Sequence, residues 1–276
     1  MPTSPSPRRG AEPRPQAVPA RSIWPLVLLF FVLAVLAAAI SALPASIIAH
    51  LLPAAVRAED FSGTLWHGSA GRITVNARDA GALEWHLHPA SLLHRRIAAD
   101  LHWVKGGFVL DANAGLAGDA FTAADVQGGG PVEDLRDFGL ARGWRGNARV
   151  QVKKLNAVIA VAGADLKAAV GDISVSDLAS PQVAAGANLG GYSLHFDDPA
   201  IAPGADAAAV LTDTGGPLEL DATIHFSAAE RRGTLSGTVR ARADAPAGLL
   251  SELDSLGQLH ARDAQGRIPV DLEFTL

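Results

Sequence analysis

Alternation of apolar and polar residues at a period of two dominates the chain from about residue 58 onward. Leu218-Leu220-Ala222-Ile224-Phe226 alternates with Glu219, Asp221, Thr223 and His225. Leu235-Gly237-Val239-Ala241 alternates with Thr234, Ser236, Thr238 and Arg240, and Ile268-Val270-Leu272-Phe274 with Pro269, Asp271, Glu273 and Thr275. Strict alternation gives each strand one dry and one wet face, the habit of antiparallel sheets. Gly, Asp, Asn and Pro clusters punctuate the strands as an all-β meander requires. Val239 and Leu272, on the dry face, are both expected to be buried.

The stretch "FSGTLWHGSAGRI" (61–73) predicts the first hairpin, a Trp66-bearing strand that turns at Gly68 and returns through Ile73 and Val75. Strands are expected at 81–88 and 96–104. Three short helices interrupt the pattern: Pro89–Arg95; 131–140, with proline at the first helical position; and 246–257, with Gly257 in the C-terminal place. The expected fold is mainly β: one N-terminal transmembrane helix, then a large curved antiparallel sheet with about three short helices. Such a sheet either folds on itself as a sandwich or leaves an apolar groove.

Before the strands the pattern changes. Ile23 to Ile40 holds eighteen residues without a charge, and with Ser41 to Leu43 it is long enough to cross a hydrocarbon core of roughly 30 Å. Residues 1–22 carry four arginines against one glutamate, giving +3, while the remainder has 19 basic and 27 acidic residues, giving −8. A basic flank before the span predicts a cytoplasmic N-terminus and an exported remainder. The competing reading, a cleaved signal peptide, calls for a shorter apolar region. The division expected is a disordered tail (1–22), a transmembrane helix (23–43), a membrane-proximal connector (44–57) and a periplasmic β domain (58–276).

Chemistry is sparse. The chain has no cysteine, which excludes disulfides and thiolate metal sites. No basic stripe points to nucleic acid. No nucleophile elbow, phosphate loop, dinucleotide fingerprint or zinc-protease motif occurs, so no enzyme, no catalytic residue and no cofactor is predicted. Asp197-Asp198, before Pro199, reads as a solvated turn. His86 and His88 share a strand face, with His102 on the neighbouring strand and His67 nearby; imidazoles so placed could bind zinc. The alternation requires that face to be hydrophilic anyway, so a solvated or hydrogen-bonded role is the reading and no metal is predicted. Trp85 and Trp103 fall on the opposite, dry face.

The hairpin "GTLWHGSA" (63–70) followed by "LEWHLHPASLLHRRIAADL" (83–101) resembles the opening of type II (general) secretion pathway protein N. "NLGGYSLHF" (188–196), "TDTGGPLEL" (212–220), "LLSELDSLG" (249–257) and "DAQGRIPV" (263–270) follow the same pattern in order. The motif positions are Gly63, Trp66, Gly68, Trp85, Pro89, Gly190, Gly216, Pro217 and Gly257, all structural. The resemblance implies a non-enzymatic inner-membrane accessory subunit of the machine that exports folded proteins across the outer membrane. It implies contacts with the outer-membrane secretin or the inner-membrane platform, besides membrane lipid. Asp271, Glu273 and Thr275, on the last strand, are the candidate partner-binding edge. One-sided alternation suits a second class equally: a periplasmic lipid-transfer protein resembling the AsmA-like group, carrying lipid in an apolar groove.

Overall fold

Among the described residues thirteen strands lie side by side in the order in which the chain makes them, each antiparallel to the next. They are β1 (Val56–Gly63), β2 (His67–Val75), β3 (Arg78–Leu87), β4 (Ile97–Lys105), β5 (Phe108–Ala117), β6 (Ala120–Pro131), β7 (Arg145–Ala160), β8 (Gly163–Ala179), β9 (Gly191–Asp198), β10 (Ala207–Gly215), β11 (Leu218–Ser227), β12 (Arg232–Ala241) and β13 (Ile268–Thr275). Among the described residues the 3₁₀ helices η1 (Ala45–His50), η2 (Pro89–His94) and η3 (Val132–Phe138) and the α-helix α1 (Ala247–Leu259) accompany them. The computed structural model describes residues 38, 40–50, 52–138, 143–160, 163–181, 186–202, 204–227, 232–259 and 262–275. The expected tail 1–22 lies outside these residues, as does nearly all of the expected span 23–43. Among the described residues no helix is long and apolar enough to cross a membrane.

Tight turns join several neighbouring strands of this meander. Asn76 and Ala77, both at positive φ (51° and 62°), make the two-residue β2–β3 connection, where such turns match the strand twist. Gly106 (φ 59°) opens the β4–β5 turn and Gly118 (φ 62°) the β5–β6 turn.

The dry face is covered in three places. Ala45 of η1 packs with Ala70 and Trp85. Phe108, Val132 at the start of η3 and Ala148 form a second cluster, with Trp103 against it. Leu249 and Leu253 of α1 sit with Leu189, Val239 and Ile268 in a third. Each tryptophan body is apolar and each indole N–H still needs an acceptor. Trp85 Nε1 donates to the Leu65 carbonyl at 2.9 Å, and Trp103 Nε1 to that of Ala80 at 2.6 Å.

Two polar pins hold turns at strand ends. The Lys105 side chain is only 7% exposed, and its Nζ reaches Asp79 Oδ2 at 3.2 Å and Asp137 Oδ2 at 2.9 Å. It also donates to the Asp79 carbonyl at 2.8 Å. Burial alone would lower its pKa; the bonds to Asp137 and Asp79 outweigh burial and raise it. A buried ammonium is tolerable only when partnered in this way. At the β10–β11 turn, Arg242 donates to the carbonyls of Gly216 (2.7 Å) and Leu218 (3.0 Å) and to Asp213 Oδ1 (2.5 Å). Burial pushes Asp213 up, yet the Arg242 bond and the Leu220 N–H hold its carboxyl below the usual range.

Several expectations need correction. The first hairpin turns at Thr64–Trp66, between β1 and β2, so Trp66 stands in the turn and Gly68 lies inside β2. Gly63 does bend the chain, at φ 78°. Gly68 serves close approach instead: a Cβ there would lie 2.6 Å from both the Thr64 carbonyl oxygen and the Trp85 ring. The connector 44–57 is not separate from the sheet, since Ala45 is buried in it and Val56 already begins β1. Pro131 ends β6 rather than opening η3, whereas Pro89 does stand at the start of η2. Gly257 falls within α1, which runs on to Leu259, and Arg262, paired with Asp254, lies close against it.

Candidate functional site

The wet face carries polar side chains in register from strand to strand. Glu84 is opposite His102, which is opposite Asp111, then Gln127, Gln151, Asp172 and His195. His102 Nδ1 lies 2.6 Å from Asp111 Oδ1, and His195 Nδ1 2.7 Å from Asp172 Oδ1. His67 faces His86 directly, with ring centroids 3.8 Å apart, and His86 stacks on His88 at 5.1 Å. His88 Nε2 meets Asp100 at 3.0 Å. His67, His86 and His88 therefore do come together, while His102 pairs with Asp111, and a cleft of about 600 Å³ runs over His67, His86, His102, Glu84 and Asp100. Among the described residues no three His, Asp or Glu side chains converge as metal ligands. Asp198, one of the paired carboxylates, accepts from the Ala208 N–H at 3.0 Å and so fastens the start of β10.

The remaining motif positions are turn chemistry. Gly190 (φ 89°) packs its backbone on Gly215 and Gly216, and Pro217 is buried beside them just before β11. Asn188 Oδ1 accepts the Gly190 N–H at 2.7 Å, and the Tyr192 hydroxyl donates to the Leu189 carbonyl at 3.0 Å.

The two edges of the sheet differ. β1 is interrupted: Asp60 stands in the left-handed region (φ 58°), and the preceding chain folds beside it, with Pro44 bridging Thr64 and the Leu43 carbonyl accepting the Leu65 N–H. β13 pairs with β12 through eight consecutive residues in unbroken register, Arg232 with Thr275 to Val239 with Ile268. Its other side has no strand beside it among the described residues. Asp271 and Glu273 are exposed there, Glu273 held by Arg232 at 2.5 Å.

Comparison with known proteins decides what such a sheet is. The model of the type II secretion system protein N family matches residues 54–271. The chain belongs to that family. Its role is therefore that of an accessory component of type II secretion, working with other subunits of the system, in a family not known for enzymatic activity. No curated protein and no solved structure gives a significant match.

Sequence pattern missed the exposed apolar side chains at the β13 edge. Leu272 is 57% and Phe274 38% exposed, although both lie on the dry face. Phe274 rests edge-on against Phe226 at 6.4 Å, and Phe226 stacks on Phe196 at 6.1 Å, so an aromatic row crosses alternate strands. Gly233 makes room for it, since a Cβ there would sit 2.2 Å from the Phe274 ring. No local signal marks the exposure of Leu272 and Phe274, because the period-two pattern of β13 is the same as that of the covered strands beside it.

Proposed function

We propose that this protein is a single-pass inner-membrane subunit of the type II secretion system. Its N-terminus is cytoplasmic and its β domain periplasmic, and β13 docks the outer-membrane secretin or an inner-membrane platform protein. The observation that carries the docking surface is the contrast between an interrupted β1 and an unbroken, one-sided β13 in a member of this family. An open row of backbone donors and acceptors is a template for strand addition, where main-chain bonds supply affinity and side chains supply choice of partner. The placement rests on the apolar run 23–43 and its basic flank. A second reading, lipid carriage along the apolar face, is favoured by the Phe196–Phe226–Phe274 row, which lies outside all three helix-capped clusters.

The native chain has no cysteine, so single substitutions give clean labelling. Gln16→Cys and Asp119→Cys, the latter in the exposed β5–β6 turn, are expressed in cells that have the secretion system but lack their own copy of this subunit. A maleimide that cannot cross the inner membrane should label position 119 and spare position 16 once the outer membrane is opened. Both variants should restore export of folded cargo. Labelling at 16, or undiminished export in cells without the subunit, would contradict the proposal.

A further inference from the structure

The edge of β13 also states what kind of strand it accepts. Pro269 has no N–H to contribute to a ladder, and within a sheet proline stands where its nitrogen faces away from the neighbouring strand. Backbone groups of one residue point to the same side in an antiparallel pair, and successive residues alternate. Pro269 is paired in register with Thr238 of β12, so its phase turns the main-chain groups of Asp271, Glu273 and Thr275 outward.

Exposure along the rows of the dry face points to a missing neighbour. The row Leu272, Leu235, Ile224, Ala209 runs from 57% exposed through half-buried to 9% and then 1%. The row Phe274, Gly233, Phe226, Ala207 likewise ends buried, at 2%. Inner strands are covered by their lateral neighbours, and among the described residues β13 has no strand on its outer side.

The wet side supplies the charge. Asp271 and Glu273 project from it two residues apart; Asp271 has no ion-pair partner among the described residues, and Glu273 has the exposed Arg232. A second copy of β13 is a poor match. The two antiparallel registers of greatest overlap that keep dry face with dry face put Asp271 opposite another Asp271, or Asp271 opposite Glu273. Like charges directly opposite one another destabilise a pair, and a one-residue slip would turn apolar side chains to the wet face.

Resting on the reading of β13 as the docking edge, we infer that its partner is an extended segment of another protein that alternates basic and apolar residues. Lys or Arg of that segment meet Asp271 and Glu273, while its apolar side chains cover Leu272 and Phe274.

The test uses the full chain in lipid nanodiscs and fluorescent peptides of alternating Lys and Val, alternating Glu and Val, and the Lys/Val composition with its alternation scrambled. The alternating Lys/Val peptide should bind about tenfold more tightly than either other peptide, the size expected of two cross-strand charge pairs. Asp271→Lys with Glu273→Lys should invert the ranking of the Lys and Glu peptides with an unchanged melting midpoint, because both side chains are exposed. Asp271→Asn with Glu273→Gln, gentler on the fold, should abolish the preference. Equal binding of all three peptides, a ranking that survives both variants, or concentration-dependent pairing of two chains through β13 would overturn the inference. Failure here with intact cross-linking from 273 to a secretion subunit would sink the partner's chemistry but not the docking edge. Peptide selectivity without such cross-links would sink the docking to secretion subunits instead.

Discussion

Val239→Asp is expected to abolish cooperative folding of the sheet, while Leu272→Asp melts close to the native midpoint. Both residues occupy the dry face in the same alternating pattern, and pattern alone predicts the same outcome for both. Val239 is 7% exposed and packed in a cluster with Leu189, Leu249, Leu253 and Ile268. An unpaired buried charge costs about 3–5 kcal/mol, much of a domain's whole stability. Leu272 is 57% exposed, where substitutions stay within roughly 0.5 kcal/mol. Thermal melts followed by far-ultraviolet circular dichroism separate the two cases. A Val239→Asp chain that melts cooperatively at the native midpoint would show that α1 does not cover this part of the sheet.

Gly190→Val is the second large effect, and it acts through the backbone. At φ 89° a branched side chain is strained wherever it points. Its Cβ would also lie 2.0 Å from the Gly215 carbonyl oxygen and 2.6 Å from Gly216 Cα, atoms that cannot rotate away. Strain and overpacking each contribute about 1–3 kcal/mol, so a loss of about 3 kcal/mol or more is expected in urea unfolding. Gly118→Ala is the matched control. It shares a positive φ, 62°, but a Cβ there meets nothing within 4 Å, so the loss should stay near 1 kcal/mol. Equal losses at the two sites would mean that the packing of Gly190 on the β10–β11 turn contributes nothing.

These pairs show where sequence is informative and where it stops. Period-two alternation located β11, β12 and β13 to within a few residues, because side chains on a pleated strand must alternate whatever surrounds them. The same rule sorted His86 and His102 to the wet face, and Trp85 and Trp103 to the dry one. Alternation says which face a residue is on, not what lies above it. Cover comes from α1, η1 and η3, whose placement is tertiary, so Val239 and Leu272 looked alike. Glycine was ambiguous for a related reason. Gly63 is there for its dihedral and Gly68 for the space beside the Trp85 ring, and no local signal separates the two uses. Gly257 looked like a helix stop, but α1 runs two residues past it, with Arg262 from beyond the helix packed close by. The strand proposed as the docking edge, β13, was legible as a strand; the interruption of β1 by Asp60 was not, since an aspartate at positive φ leaves no mark on the pattern.

The central claim, that β13 is the surface this subunit offers to the secretion machine, is tested most directly by photo-cross-linking in living cells. One probe replaces Glu273 at the free edge, a second replaces Glu59 on β1, and a third replaces Leu272 on the exposed dry side of β13. Val239 is unsuited to that last purpose because α1 covers it. The account predicts an adduct from 273 to the secretin or a platform subunit, with none from 59. Adducts from 59 with silence at 273, or a phospholipid adduct from 272 unaccompanied by any protein adduct from 273, would contradict it.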